Sequence, residues 1–256
     1  MRRVITFPFA GETLVGTLDD GAATTGLLIV SGGNEIRIGA HRGMALLAAR
    51  LAAGGTPVFR YDRRGIGDST GDNRGFEHAA DDMAAAVAAF RAHAPRLTRI
   101  VGFGNCDAAT ALALFHRQAG IDALVLANPW TIDEADDLPP AAAIRARYLD
   151  RLKDPATYLR LLRGGIDLGK LIKGLSKLSA PKSHVAEALA ARLDHALETA
   201  VTPIAIILAR QDATAIAFAD GSRVTLPTHM LDTASHSFAR AEDQAALDAI
   251  LHAALA

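Results

Sequence analysis

The sequence predicts an α/β fold: a mostly parallel central sheet of about eight strands, flanked by helices and interrupted by one helical insertion. Three observations predict it. Short apolar runs alternate with helical stretches through residues 26–127, and the alternation resumes after residue 203. Several of those runs are apolar without a break, as strands buried on both faces are. Turns rich in Gly, Asn, Asp or Ser follow the runs, which gathers the polar residues at the carboxyl edge of the sheet.

Taken in order, residues 2–8 and 12–19 alternate loosely around Ala10-Gly11 and read as a hairpin. Residues 26–30 (Gly-Leu-Leu-Ile-Val) are a buried strand that ends in the turn Ser31-Gly32-Gly33-Asn34. Residues 41–53 read as a helix with Met44, Leu47, Ala48 and Leu51 on one face, stopped by Gly54-Gly55. The strand at 57–61 runs into Asp62-Arg63-Arg64-Gly65-Ile66-Gly67-Asp68-Ser69. An alanine-rich helix over about 78–93 opens with acidic residues, which the helix dipole favours. A strand at 97–101 leads to a turn around Cys106 and a helix over 110–118. Residues 121–127 form the next strand, ending at Asn128-Pro129-Trp130.

The rhythm breaks from 131 to 200. Leu149, Leu152, Tyr158, Leu161 and Leu162 recur at helical spacing, as do Leu168, Leu171, Ile172 and Leu175. The reading is a core of residues 1–130 and 201–256 with a helical cap of residues 131–200 over the strand ends. Ten Lys or Arg stand against three Asp between Arg145 and Lys182. That charge is either a solvated helix face or a basic rim for an anionic substrate or a membrane surface. Strands at 203–209 and 228–231 and a helix over 240–254 complete the core.

The net charge of −1 over 256 residues argues against a nucleic-acid partner. No run of about 18 apolar residues suggests a membrane span. Met1-Arg2-Arg3 is followed by an apolar run broken by Pro8, Gly11 and Glu12, a poor secretory signal. Cys106 is the one cysteine, so no intramolecular disulfide forms and a cytoplasmic, reducing location is expected. CxxC, HExxH and EF-hand patterns are missing, so neither a metal nor another cofactor is expected. The oligomeric state is not legible.

Gly104-Asn105-Cys106-Asp107-Ala108 fits the strand–turn–helix pattern G-x-nucleophile-x-small, with cysteine in the nucleophile's place. Small neighbours are required because the central residue sits in a strained turn against the following helix. That helix's N-terminus favours an anionic side chain. The alternative is a small buried hydrophobe, the common fate of a free cysteine. An acid and a histidine follow in the order Cys106, Asp212, His236, each just after an expected strand.

With this order and these turns, the chain resembles the α/β-hydrolase superfamily over essentially its whole length. Asp62-Arg63-Arg64-Gly65-Ile66-Gly67-Asp68-Ser69 looks like that superfamily's D-x-R-G-x-G-x-S segment. The narrower similarity is to exosortase A system-associated hydrolases of the first type. It rests on the cysteine elbow, on Gly32-Gly33 followed by His41-Arg42, and on a cap like Tyr148-Leu149-Asp150-Arg151-Leu152. This implies an association with exopolysaccharide and surface-protein sorting systems, with no established substrate. Ser31 stands where many members carry histidine, and Ala108 where many carry glycine.

The expected activity is hydrolysis of carboxylic ester or thioester bonds in a small-molecule acyl substrate. His236 takes the Cys106 proton and Asp212 orients His236. The backbone amides of Asp107 and Gly33 form the oxyanion hole. Asp232 is the rival acid, four residues before His236. Gly32, Asn34, Asn128 and Trp130 are expected to line the substrate site, while Asp62, Arg64 and Ser69 brace their loop. An acyltransferase using the same three residues, or a silent hydrolase fold used for binding, stays open. A peptidase is the weaker reading, because nothing in the sequence marks an amine-binding subsite.

Overall fold

The computed structural model describes residues 1–131 and 184–256. Most of the expected cap, including its basic stretch, lies outside the described residues. The strands are β1 (Arg2–Phe9), β2 (Glu12–Asp19), β3 (Thr25–Val30), β4 (Val58–Asp62), β5 (Arg99–Asn105), β6 (Ala123–Ala127), β7 (Ile204–Ala209) and β8 (Thr228–Leu231). The helices are α1 (Gly43–Ala53), α2 (Ala80–His93), α3 (Asp107–Ala119), α4 (His184–Glu198), α5 (Ala213–Gly221) and α6 (Ala241–Leu255). The eight strands form one sheet in the order β1-β2-β4-β3-β5-β6-β7-β8. Pairing is antiparallel from β1 to β2 and from β2 to β4, and parallel across the rest.

The unbroken apolar runs place side chains on both faces, and each face has its own core. Leu28 and Val30 of β3 point into a core with Met83, Phe90, Leu112, Leu193 and Phe218, so α2, α3, α4 and α5 cover that side. Leu27 and Ile29 point into the other, with Leu47 and Leu51 of α1 and Leu247 and Leu251 of α6. Phe59 stacks on Phe90 with ring centroids 5.5 Å apart. A Cβ on Gly16 would lie 2.3 Å from the Phe59 ring, which explains a glycine inside β2. The tail of the expected cap, α4, buries Leu193 and Leu197 in the same core as α2 and α3. None of the described helices is long and apolar enough to cross a membrane.

Two boundaries differ from expectation for physical reasons. The strand expected to end at Val101 runs on to Asn105. Gly102 and Gly104 suggested a turn, yet they are small because α3 lies on them. A Cβ on Gly102 would meet Leu112 Cδ2 at 2.8 Å, and one on Gly104 would meet the Ala108 carbonyl carbon at 2.8 Å. The first helix begins at Gly43 rather than 41, because His41 and Arg42 hold φ of 51° and 62° in the turn before it.

The register aligns the carboxyl ends: Val30 lies beside Tyr61 and Gly104, Asn105 beside Ala127, and Ala127 beside Ile207. The Asp62 loop braces this edge. The Asp62 carboxylate is fully buried and accepts from the amides of Arg37 at 2.6 Å and Asp68 at 3.1 Å. It also pairs with the Arg37 guanidinium. Ser69 Oγ donates to the Asp62 carbonyl and accepts from the Val15 amide, and Arg64 pairs with Asp82 at 2.5 Å. Asp62→Ala would remove the buried partner of the Arg37 guanidinium and leave it to Asp68 at 2.8 Å, and would leave the Arg37 and Asp68 amides without their acceptor. The expected loss is about 2 kcal/mol, the cost of buried donors left without an acceptor, read as a lower urea midpoint with unchanged denaturant slope.

Candidate active site

Cys106 sits between β5 and α3 with φ 64° and ψ −129°, a conformation L-residues rarely hold. The turn is over-determined by its surroundings. Its amide donates to the Ala127 carbonyl at 2.9 Å, and its carbonyl accepts from Ala109 at 3.1 Å and from Thr110 and Trp130 at 3.3 Å. Ala108 is 1% exposed against β5, leaving no room for a larger residue. The Cys106 side chain is therefore lifted off the sheet edge and half-buried.

The structure brings Asp212 and His236 to the same edge. His236 Nδ1 lies 3.0 Å from Asp212 Oδ2. Asp212 is also the N-cap of α5, its Oδ1 accepting from Thr214 at 3.0 Å and Ala215 at 3.1 Å. Burial alone would raise the Asp212 carboxyl; the bond to His236, its charge and the two amides outweigh that and hold it below the usual aspartate value. The Asp212 carboxylate first, and the Cys106 sulfur second, push the His236 imidazole up to about 10. The imidazole thus has a carboxylate and a sulfur as neighbours, and both favour its protonated form. Such a group can hand a proton to a leaving group. Asp232, the rival acid, is exposed and bonds Gln211 Nε2 at 3.3 Å instead.

Two asparagines, Asn105 half-buried and Asn128 fully buried, fix the histidine loop. Asn105 Nδ2 donates to the His236 carbonyl at 3.0 Å, and Asn128 Nδ2 donates to Asn105 Oδ1 at 2.9 Å. Asn128 Oδ1 accepts from the Ala209 amide at 2.8 Å. Asn128 was expected at the substrate; it is fully buried and its amide is spent on the protein, so it braces rather than binds. Asn34 is exposed and bonds Asn73 at 2.9 Å. Trp130 is half-buried beside the elbow, with its carbonyl accepting from Thr110 Oγ1 at 2.7 Å. Gly32 and Gly33 lie against the elbow, but the Gly33 amide donates to Asp107 Oδ1 at 2.6 Å.

Sequence reasoning passed over Asn105 and Glu35. Asn105 carried a signal, its place at the end of a strand beside Asn128. Glu35 carried none. Loss of surrounding solvent raises the Glu35 carboxyl from its ordinary value, with His236 and the Ala40 backbone opposing and Asp107 adding. Among the described residues, no group of three or more His, Cys, Asp or Glu could hold a metal ion.

The sequence matches the family described as "Serine aminopeptidase, S33" over residues 24–253. The chain belongs to this family of α/β-hydrolases. The family's descriptor names a serine, and here the elbow carries Cys106. A comparison with curated proteins finds no match. Among solved structures, the chain is similar to the Pyrococcus furiosus esterase Pf2001, with 17% identity and TM-score 0.64, covering 100% of this chain and 91% of that one. It is also similar to the α/β-hydrolase GrgF from Penicillium sp. sh18, with 19% identity and TM-score 0.62, covering 98% and 97%. The thioesterase domain from the curacin biosynthetic pathway aligns with 14% identity and TM-score 0.57, covering 98% and 99%. At these identities the structural likeness speaks for the fold.

The raised His236 value carries a sign. A group whose folded value exceeds its unfolded 6.5 stabilises the fold fully below 6.5, and that contribution fades as pH rises through about 10. The melting temperature of the protein is therefore expected to exceed that of His236→Gln most near pH 6.5. The gap narrows toward pH 10 in a series of thermal melts; a constant or widening gap contradicts the pairing.

Proposed function

We propose that the protein hydrolyses carboxylic ester or thioester bonds through an acyl-thioester on Cys106. One observation carries the reading: the His236 imidazole is bonded to Asp212 at 3.0 Å, and that carboxylate first and the Cys106 sulfur second favour its protonated form. In the cycle the Cys106 proton resides on His236, and the thiolate attacks the acyl carbonyl, forming the C–S bond. The carbonyl electron pair moves to oxygen, where the Asp107 amide meets it. Collapse breaks the bond to the leaving oxygen or sulfur, which takes the proton from His236. Water then gives a proton to His236 and attacks the thioester, which releases the acid and returns the thiolate. Asp212 keeps the imidazole oriented throughout.

The similarity to exosortase A system-associated hydrolases supports an acyl substrate belonging to exopolysaccharide or surface-protein systems. A free thiol nucleophile suits the cytoplasm. The insertion joins β6 to β7, whose carboxyl ends lie at the site, which suits residues 131–200 to a cap that selects the acyl group. Its basic residues suit an anionic head group or a membrane surface. A second reading, cleavage of an aminoacyl amide, is favoured by the family's descriptor and by the place of Glu35, whose amide donates to the Gly32 carbonyl at 3.0 Å in the turn beside the elbow. A carboxylate there suits a substrate ammonium.

Intact-protein mass spectrometry after exposure to activated esters, thioesters and aminoacyl amides tests this. The expected result is a stoichiometric acyl adduct on Cys106, missing in Cys106→Ala and slowed about 10³-fold or more in His236→Ala. An adduct from aminoacyl amides alone selects the second reading. Diversion of the acyl group to an added sugar selects acyl transfer. A wild-type protein that forms no adduct, with Cys106 alkylated no faster than a denatured thiol, refutes the reading.

A further inference from the structure

The turn expected to offer an N–H to the oxyanion is already taken. Gly33 donates to Asp107 Oδ1 at 2.6 Å, and a Cβ on Gly32 would fall 2.6 Å from the same oxygen. The carboxylate is thus seated against the backbone of the turn. The turn itself is pinned on its other side, where the Gly33 carbonyl accepts from Nη2 of Arg63, a residue 5% exposed. Asp107 differs: its side chain is half-buried, and the Gly33 amide is its hydrogen-bond partner among the described residues. The Asp107 amide, at the first position of α3, has no acceptor among the described residues. One donor of the pair is open and the other is filled by an anion.

We propose that the Asp107 carboxylate is a built-in occupant of the oxyanion site, which must turn away from Gly33 before an acyl group can be attacked. The inference rests on the acyl-thioester reading above. A carboxylate oxygen and a tetrahedral oxyanion carry the same sign of charge and use the same donor, so they exclude each other. Asp107 is a positioning residue that acts through Gly33. It also sets a preference. An acyl group with a hydroxyl or ammonium on the carbon next to its carbonyl offers Asp107 a new partner as it leaves Gly33. Such a substrate loses least to the occupant.

The test compares p-nitrophenyl propionate with p-nitrophenyl 2-hydroxypropionate on the full chain, following pre-steady-state release and the adduct on Cys106. Asp107→Ala is expected to raise the acylation rate with propionate about tenfold, the scale of one charge-assisted hydrogen bond. Asp107→Asn, which keeps the shape and guards against a folding defect, gains less. The hydroxy ester gains little in either variant, so the wild-type preference for it shrinks. Acylation by propionate that is unchanged or slower in both variants, with an unaltered iodoacetamide rate at Cys106, overturns the proposal and makes Asp107 a brace for the turn. If wild type and both variants form no adduct, the acyl-thioester reading falls and this inference with it. If wild type is acylated and the variants are not faster, only this inference falls.

Discussion

A single backbone conformation governs this edge of the molecule. Cys106 holds φ 64° only because everything around it leaves no alternative. Its amide and carbonyl are both bonded, one to the end of β6 and the other to α3 and Trp130. Gly104 and Ala108 let strand and helix approach, and Gly32 lets the next turn close over them. The conformation costs of the order of 1–3 kcal/mol in a folded chain. That cost is spread over bonds that the sheet and helix make in any case.

The two partners of Cys106 arrive by different means. Asp212 comes from β7, an inner strand, and is fixed twice: it caps α5 and it holds His236. Burial alone would raise this carboxyl; the bond to His236 first, and the two capped amides after it, hold it below the usual aspartate value. His236 comes from the loop after β8, whose residues are mostly exposed. A loop beyond an exposed strand has little packing to locate it. Phe238 anchors one side by its burial, and Asn105 with Asn128 anchors the backbone carbonyl. The histidine is thus placed by hydrogen bonds that originate on β5 and β6, the strands that also frame Cys106.

The sheet was legible because its strands carry unbroken apolar runs, and burial on both faces leaves no other reading for 26–30 or 203–209. The elbow was legible because its glycine and alanine are steric requirements. What escaped follows from the same physics. Helix α5 shows no amphipathic period in Ala213–Gly221, and its start was hidden because its cap, Asp212, reads first as an acid for His236. Asn128 looked like a pocket residue because it ends a strand; its fully buried amide has three uses inside the protein that no local pattern reveals. Glu35 stands near His236 only through the path of the turn after Ser31, and a glutamate in a loop announces nothing.

Charge decides which of the two acids after strands can serve His236. Asp232 is exposed, where water screens it and a glutamine side chain engages it. Asp212 is 9% exposed, and its oxygens face only the imidazole and two amides. Coulombic attraction grows as the surrounding dielectric falls, so the dry carboxylate binds the imidazolium far more strongly than the wet one could at equal distance. With the Cys106 sulfur as the second contributor, this is how the His236 imidazole, its side chain 40% exposed, is pushed up to about 10.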